Sequence, residues 1–284
     1  MAFKYCGFAD EAGKTLKEQI DATKRAGWHG IEVRNVEGKN FTDVPEETFD
    51  AALAELKANG IEIACFGSQL ANWARPITTD FQVDINELKR AIPRMHKAGA
   101  KLIRCMSYPN KEVERETYKR EVFRRLKYLA SMCEEAGVIL AHENCNGFGG
   151  EGPAEALEML AAVKSPAFKL IIDTGNNATH GTGYTDNKVS WEFYNKVKKH
   201  VVHVHIKAMQ LGPEHKIITC YPDEDPVQLK ILKDLKRRGY DGWISIEPHM
   251  AAAVHAGKDV TDPLAAANIY VEYARRLEAL VAQA

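Results

Sequence analysis

The stretch EAGVILAHEN, residues 135–144, contains the pattern that decides the fold of this chain. It joins the end of an amphipathic helix, a glycine and an apolar strand that ends in polar residues. Glycine just past a helix end relieves the left-handed backbone with which many helices stop. Four more segments repeat the pattern: RAGWHGIEVR (25–34), KANGIEIACF (57–66), KAGAKLIRCM (97–106) and RRGYDGWISIE (237–247).

The repeat predicts a regular alternation of helices and strands. Its five glycines lie 33, 39, 38 and 102 residues apart, and the last interval is three steps of 34. Two further strands fill the long interval: FKLIIDTGN (168–176) after a helix at 153–163, and VVHVHIKA (201–208) after a helix near 188–199. YCGFAD (5–10) supplies the first strand. Eight strands alternating with eight helices in 284 residues predict an α/β protein, a (β/α)₈ TIM barrel.

A doubly wound open sheet is the alternative fold. Eight even units and the absence of GxGxxG after the first strand argue against it. No proline- or serine-rich linker divides the chain, so we expect one TIM-barrel domain over residues 1–284.

The composition is that of a globular protein with little net charge. Hydrophobic residues make up 45% and charged residues 27% of the chain, and the formal net charge is −1. Because there is neither a basic excess nor a long apolar run, we expect no nucleic-acid partner and no membrane partner. MAFKYCGFAD does not have the pattern of a signal peptide, and six scattered cysteines without CxxC spacing favour a reducing, cytoplasmic setting.

Four consecutive strands end in residues that can bind a metal ion. Alternation turns inward Glu143 in LAHEN and Asp173 in IIDTGN, and likewise His205 in HVHIK and Glu247 in ISIEP. In barrel enzymes the active site lies at this end of the strands. Three carboxylates packed together repel one another unless a cation neutralises them. The pattern therefore predicts a site for one divalent ion (Mn²⁺, Mg²⁺, Co²⁺ or Zn²⁺), and we expect no organic cofactor.

The strand VVHVHIKA leaves the choice of imidazole open. His203, His205 and Lys207 share one face, and the two histidines lie roughly 6.6 Å apart along the strand. Both are therefore candidate ligands by geometry alone. Lys207 is either an ammonium that faces the substrate or a solvated charge at the rim.

The chain resembles the xylose-isomerase-like sugar isomerases and epimerases over nearly its whole length. The resemblance is carried by the four strand ends and by the opening FADEAGKTLKEQIDATKRAGWHGIEVR (8–34). It implies that Glu143, Asp173, His205 and Glu247 are the metal ligands. It also implies that Glu143 and Glu247 are the catalytic acid/base pair of a metal-dependent sugar isomerase or epimerase in carbohydrate metabolism. Such an enzyme removes a proton next to a carbonyl through a metal-stabilised enediolate.

The sequence departs from the family pattern at two places around the substrate. Many relatives carry a histidine three residues after the strand-six aspartate, where this chain has Asn176, and many read H-x-K-D where this chain has Ala208. The alternative is therefore a lyase or dehydratase that acts on a keto-sugar or keto-inositol through the same enolate.

Two other classes of barrel are less favoured. The abasic-site endonucleases that share this barrel draw extra histidines from strands three and four, and here ACFGSQ (64–69) and RCMSYP (104–109) contain none. A non-catalytic binding barrel is disfavoured because both proton-transfer glutamates are present.

Several further residues are candidates for substrate binding. Arg34 and Arg104 could bind a substrate oxygen near the mouth, although an ion pair between Glu32 and one of them is the structural alternative. Trp73, in the loop GSQLANWARPITTD (67–80), offers an aromatic face for a sugar ring or packs the loop itself. The other candidates are Lys207, Asn176 and His249.

The loops after strands seven and eight bear on the substrate. GPEHK (212–216) and HAGKD (255–259) lack a phosphate-binding glycine cluster, which favours an unphosphorylated small molecule, a sugar or a polyol derivative. Such barrels often pair through helices and mouth loops, so a homo-oligomer is compatible with this sequence.

Overall fold

The computed structural model describes residues 3–180, 188–213, 216–250 and 263–284. Eight parallel strands form a nearly closed barrel and pair in the order β1-β8-β7-β6-β5-β4-β3-β2. A parallel bridge between Phe8 and Glu32 joins the two strands at the ends of this order. The strands are β1 (Lys4–Gly7), β2 (Gly30–Val33), β3 (Glu62–Phe66), β4 (Leu102–Ser107), β5 (Ile139–Gly147), β6 (Phe168–Asp173), β7 (Val201–Ile206) and β8 (Trp243–Ile246).

Helices surround the barrel and follow the strands in sequence, which confirms the predicted TIM-barrel fold. They are α1 (Leu16–Arg25), α2 (Glu46–Ala58), α3 (Gln82–Ala98), α4 (Arg115–Glu135), α5 (Pro153–Val163), α6 (Lys188–Val197), α7 (Pro226–Arg237) and α8 (Pro263–Val281). A short helix, Asn176–His180, follows β6. Two hairpins extend from the barrel, Asn35–Val36 with Lys39–Asn40 and Met209–Leu211 with Ile217–Thr219.

Local sequence explains where the helices begin and end. At the start of α1, the Thr15 hydroxyl accepts a hydrogen bond from the Glu18 amide (3.2 Å), and the Glu18 carboxylate accepts one from the Thr15 amide (2.9 Å). The five glycines of the repeat follow α1, α2, α3, α4 and α7, with φ between 67° and 77°. A Cβ at any of them would meet no atom within 4 Å, so the left-handed backbone and not space requires glycine there.

Apolar helix faces pack against the outside of the barrel. The stripe of Val122, Leu126 and Leu129 in α4 is fully buried, as are Tyr273 and Leu277 in α8. Each such side chain contributes ~1.5–3 kcal/mol through burial. Inside the barrel the apolar packing is small: Cys65, Ala141 and Ile171 form a separate cluster. The interior above that cluster is free for polar side chains. Among the described helices, none combines the length and the apolar character needed to cross a membrane.

Candidate active site

Glu143, Asp173, His205 and Glu247 meet inside the barrel at the carboxyl ends of their strands. One possible ligand atom from each of them lies within 4.8 Å of the other three, and all four side chains are buried. Alternation had predicted this convergence, and the fold brings all four residues together.

The four residues do not lie in one hydrogen-bonded row. Asp173 pairs with His205 and His205 with Ser245, whereas Glu143 pairs with Ile171, and Glu247 lies two residues beyond Ser245. Strands of a closed barrel tilt and shift in register, so side chains meet across the interior without sharing one row.

Glu143 is held by three polar side chains. Its Oε2 accepts from Arg104 Nη1 (3.0 Å), and its Oε1 accepts from Asn176 Nδ2 (3.2 Å) and lies 3.3 Å from His205 Nδ1. Burial raises the pKa of this carboxyl, but Arg104 and His205 outweigh burial and bring its pKa down to about 2. Glu143 is therefore ionised at neutral pH.

Glu247 lies directly after β8 and presents its two oxygens to different neighbours. Oε1 accepts from Arg34 Nη1 (3.2 Å) and contacts His249 Nε2 (2.9 Å), while Oε2 lies 3.0 Å from Lys207 Nζ. Burial raises the pKa of the Glu247 carboxyl, and Lys207, His249 and Arg34 together hold that pKa well below its ordinary value. The second glutamate is ionised as well.

Asp173 is fixed by the turn that follows β6. Its Oδ1 accepts from the backbone amides of Gly175 (2.8 Å) and Asn176 (2.7 Å), and Asn144 bonds to its backbone on both sides. Its Oδ2 lies 3.2 Å from Lys207 Nζ. Burial raises the pKa of Asp173 to about 7 although Lys207 opposes the rise, because Glu247 and Glu143 add two negative charges nearby.

His205 presents its two ring nitrogens to opposite sides. Nδ1 faces Glu143 Oε1 (3.3 Å) and Glu247 Oε2 (3.9 Å), and Nε2 faces Glu32 Oε2 (3.1 Å). The Phe8 ring packs edge-on at 5.0 Å. Burial lowers the pKa of this imidazole, but Glu32 and Glu143 outweigh burial and raise it to about 10.

Lys207 is buried at the edge of the cluster. Its Nζ donates to Asn176 Oδ1 (3.0 Å) and bridges the carboxylates of Asp173 and Glu247. A Cβ at Gly175 would lie 2.5 Å from the Lys207 carbonyl oxygen, so glycine allows the β6 turn to approach. Of the two roles left open for this lysine, the fold excludes the solvated rim charge, since Lys207 is only 6% exposed.

The residues present fit a divalent metal ion. Asp173 Oδ2 and Glu247 Oε2 are buried and accept no hydrogen bond from the residues that the structure describes, and their contact with Lys207 is an ion pair only. Three carboxylates and one imidazole with facing donor atoms form the oxygen-and-nitrogen set that Mn²⁺, Mg²⁺, Co²⁺ and Zn²⁺ accept. Buried acidic oxygens in this number need a cation to offset their repulsion.

The two candidate arginines contact the glutamates. Arg104 lies within β4 and donates to Glu143, and Arg34 pairs with Asp10 (2.8 Å) and Glu11 (3.3 Å) as well as with Glu247. Both guanidinium groups lie over the ring of Phe8, at 4.4 Å for Arg34 and 5.0 Å for Arg104.

The ion pair between Glu32 and one of the arginines, which was the structural alternative, is not formed among the residues that the structure describes. Glu32 lies 2.8 Å from His203 Nε2 and 3.1 Å from His205 Nε2 instead. His203, the imidazole outside the ligand set that the family resemblance implies, is fully buried and lies within hydrogen-bond distance of Glu32.

The remaining candidates lie at the mouth. His249 contacts Glu247 and Glu11 through Nε2 and adopts a positive φ of 50°. Trp73 lies in the loop after β3 and is 58% exposed. Of the loops expected to lack a phosphate site, 255–259 lies outside the described residues, as do 214 and 215.

Sequence reasoning missed the acidic pair that follows β1. Asp10 and Glu11 hold Arg34, and Glu11 accepts from the His249 amide (2.7 Å). Their position just after a barrel strand is the same signal that identified the other acids. An open cavity of about 220 Å³ lies at the carboxyl end of β5 and is lined by Asn110, Cys145, Asn146, Gly147, Gly150 and Glu151.

A sequence profile described as xylose isomerase-like TIM barrel matches residues 20–272 of the chain. The chain belongs to this family. The match spans the barrel from α1 into α8 and includes all four clustered residues. No curated protein sequence matches the chain.

Solved structures of similar shape come from proteins of low sequence identity. The probable 3-DHS dehydratase AsbF from Bacillus anthracis aligns with a TM-score of 0.72 at 16% identity, covering 98% of this chain and 99% of that one. The IOLI protein with a binding zinc atom gives 0.71 at 16%, covering 99% and 98%. The 3-keto-D-glucoside 4-epimerase YcjR from E. coli gives 0.66 at 15%, covering 98% and 100%. At these identities the likeness shows the fold alone.

Proposed function

We propose that this chain is a divalent-metal-dependent isomerase or epimerase of a sugar or sugar derivative. The observation that carries the proposal is the convergence of two ionised glutamates, Glu143 and Glu247, on one metal-type cluster. Membership of the xylose isomerase-like family supports it, as does the similarity to a protein named as a keto-glucoside epimerase.

In the proposed reaction each glutamate has a fixed orientation. Arg104 and Asn176 hold Glu143, and Arg34 with His249 holds Glu247, so neither carboxylate is free to rotate away from the substrate. A carboxylate kept ionised can accept a proton from carbon next to a carbonyl, and its conjugate acid can return the proton. A divalent ion in the cluster would stabilise the negative charge that develops on the carbonyl oxygen. Manganese is our first choice of ion.

The charge balance around the site favours a neutral substrate. Among the described residues, the lysine and arginine side chains that line it are Lys207, Arg34 and Arg104, and each is ion-paired with carboxylates. A substrate carboxylate or phosphate would have to displace one of these partners and would meet a surplus of acid. The open cavity at the carboxyl end of β5, in the same strand as Glu143, offers amide and carboxylate groups that suit hydroxyls. We therefore propose an unphosphorylated keto-sugar, ketose or polyol-derived ketone.

A lyase acting on a keto-sugar or keto-inositol is the second candidate. Lys207 favours it, because a buried ammonium beside Glu247 could give a proton to a departing hydroxyl after the same first step. The structure most similar in TM-score among those compared above is named as a probable dehydratase.

Deuterium exchange separates the candidates. The protein is incubated with Mn²⁺ and a panel of ketoses, keto-sugars and inosones in deuterated water, and products are read by NMR and mass spectrometry. Isomerisation or epimerisation is supported if deuterium enters at one carbon next to a carbonyl and the product mass is otherwise unchanged. Loss of water or of an aglycone supports the lyase. Absence of exchange with every compound, in protein shown to contain the metal, would refute the enolate mechanism.

A further inference from the structure

Glu32 is a buried carboxylate below the cluster, and it is not one of the four predicted ligands. It lies on β2 and is 1% exposed. Its Oε2 lies 2.8 Å from His203 Nε2 and 3.1 Å from His205 Nε2, and its Oε1 lies 3.3 Å from His205 Nε2. Two imidazoles on one strand therefore point the same ring nitrogen at one carboxylate on another strand.

The surroundings of Glu32 give it no partner stronger than these imidazoles. The thiols of Cys6 and Cys65 are buried near it and are weak donors, while Arg104 binds Glu143. A carboxylate in such a place is costly unless donors satisfy it. Because an ionised carboxylate can only accept, the strong donors to Glu32 among the described residues are the Nε2–H groups of the two histidines.

This requirement determines which ring hydrogen His205 keeps when an ion binds. An imidazole can bind an ion only through a nitrogen that carries no hydrogen, and if Nε2 keeps the hydrogen that Glu32 accepts, the free lone pair is on Nδ1. Nδ1 is the atom that faces Glu143 and Glu247, 3.3 and 3.9 Å away. The ligand nitrogen then points into the cluster, and the protonated nitrogen points down the barrel.

We propose that Glu32 is the positioning residue of the metal site: it accepts Nε2–H of His205 and so assigns Nδ1 as the coordinating atom. The inference rests on the metal site of the proposed function and adds a residue to it. His203 contributes by donating to the same Oε2, which holds Glu32 in place. The His203 ring also packs edge-on against the His205 ring at 5.1 Å and keeps it from turning.

A competing use of the same residues gives a clear alternative outcome. One ligand-type atom from each of Cys6, Glu32 and His203 lies within 4.8 Å of the other two, which is the spacing of a metal site. An ion bound there would take Glu32 from His205, so the two uses exclude each other. Our proposal predicts one ion per chain, and two ions bound with similar affinity would overturn it.

The first experiment uses the unaltered protein and the metal alone. Protein labelled with ¹⁵N in histidine is loaded with Zn²⁺, and long-range ¹H–¹⁵N correlation spectra report which ring nitrogen of His205 carries hydrogen, with His205→Asn assigning the signal. We expect the Nε2–H form with the Nδ1 shift altered by the metal. A spectrum with hydrogen on Nδ1 and metal on Nε2 would refute the proposal.

The second experiment measures Mn²⁺ affinity by calorimetry in Glu32→Gln. The carboxamide is a weaker acceptor and brings an NH₂ group against Nε2–H, so we expect affinity to fall 10- to 100-fold, the usual effect of removing such a support. Asp84→Asn is the matched control. Asp84 is equally buried and accepts from Arg75 (2.6 Å) and Tyr108 (2.7 Å), but it touches none of the four ligands.

The outcomes separate this inference from the proposed function. Unchanged Mn²⁺ affinity in Glu32→Gln, or an equal loss in Asp84→Asn, would overturn the positioning role and leave the metal site intact. Failure of the unaltered protein to bind any divalent ion would instead overturn the proposed function. If Glu32→Gln does not fold, the spectra of the unaltered protein still decide the matter.

Discussion

Replacing Lys207 with methionine should destabilise the metal-free protein much more than the metal-loaded protein. Methionine keeps the length and most of the packing of the side chain but removes the ammonium. In the metal-free protein this ammonium lies 3.2 Å from Asp173 Oδ2 and 3.0 Å from Glu247 Oε2, and neither oxygen has another cation closer. Its removal leaves Asp173 without its ion-pair partner and leaves Glu247 with Arg34 and His249 alone.

The size of the effect follows from burial of all three groups. Removing one partner of a buried ion pair costs about 3–5 kcal/mol. For a chain of 284 residues a loss of that size lowers the melting temperature by about 5–8 °C. When a divalent ion is bound by Asp173 and Glu247, it neutralises the same oxygens, and the cost should fall to about 1 kcal/mol or less. The bound ion therefore stabilises Lys207→Met more than the unaltered protein.

Calorimetric unfolding at pH 7, with EDTA or with excess Mn²⁺, measures the stability of the unaltered protein and of Lys207→Met in each condition. Lys198→Met is the control, since Lys198 pairs with Asp234 at 3.2 Å, outside the site, and its side chain is 24% exposed. This control should lose at most about 1 kcal/mol, equally with and without metal. If Lys207→Met lost the same stability in EDTA and in Mn²⁺, the ammonium and the metal ion would not neutralise the same oxygens of Asp173 and Glu247.

Three further predictions concern the site and the loop above it. Glu143→Gln and Glu247→Gln should each abolish turnover while circular dichroism stays unchanged, and near-normal activity in either would contradict its catalytic role. Burial raises the pKa of Asp173 from 3.8 to about 7, so the folded metal-free protein holds a proton that the unfolded chain releases. Its stability should therefore fall as pH rises from about 4 to 7, by up to ~1.4 kcal/mol per unit, and urea titration of Asp173→Asn should lack this slope. Arg75→Met should cost about 3–5 kcal/mol, because it leaves the buried Asp84 without its cation, and faster proteolysis within the 67–80 loop would report the loosening.

Much of the fold could be predicted because its signals are local. A glycine at a helix end can be recognised because the left-handed backbone there favours glycine whatever its neighbours are. Apolar strands of regular spacing can be recognised from their own side chains. The helix predicted at 153–163 agrees with the α5 that forms, while the one expected near 188–199 ends at Val197, where a 3₁₀ turn takes over. Helix ends depend on competition between turn types, which periodicity does not resolve.

The site could be predicted only in part. Strand alternation identified Glu143, Asp173, His205 and Glu247, because an inward position at a strand end is a property of one strand alone. The partners of these residues were not predictable in the same way. Glu32 had an ion pair with an arginine as its structural alternative, and it contacts two histidines instead.

By itself, the sequence determined which residues point into the barrel and at which end the acidic side chains lie. Both follow from the alternation and the direction of single strands, which do not depend on the neighbouring strands. Only the tertiary structure decided which of these side chains contact one another. Arg34 reaches Glu247 across 213 residues of sequence, and Glu32 reaches His205 across 173. These contacts depend on closure of β1 against β2 and on the stagger of tilted strands, both of which are set by the packing of the whole barrel. The candidate metal ligands can thus be predicted from strand ends, whereas the residues that orient them and keep them ionised come into contact only when the barrel closes.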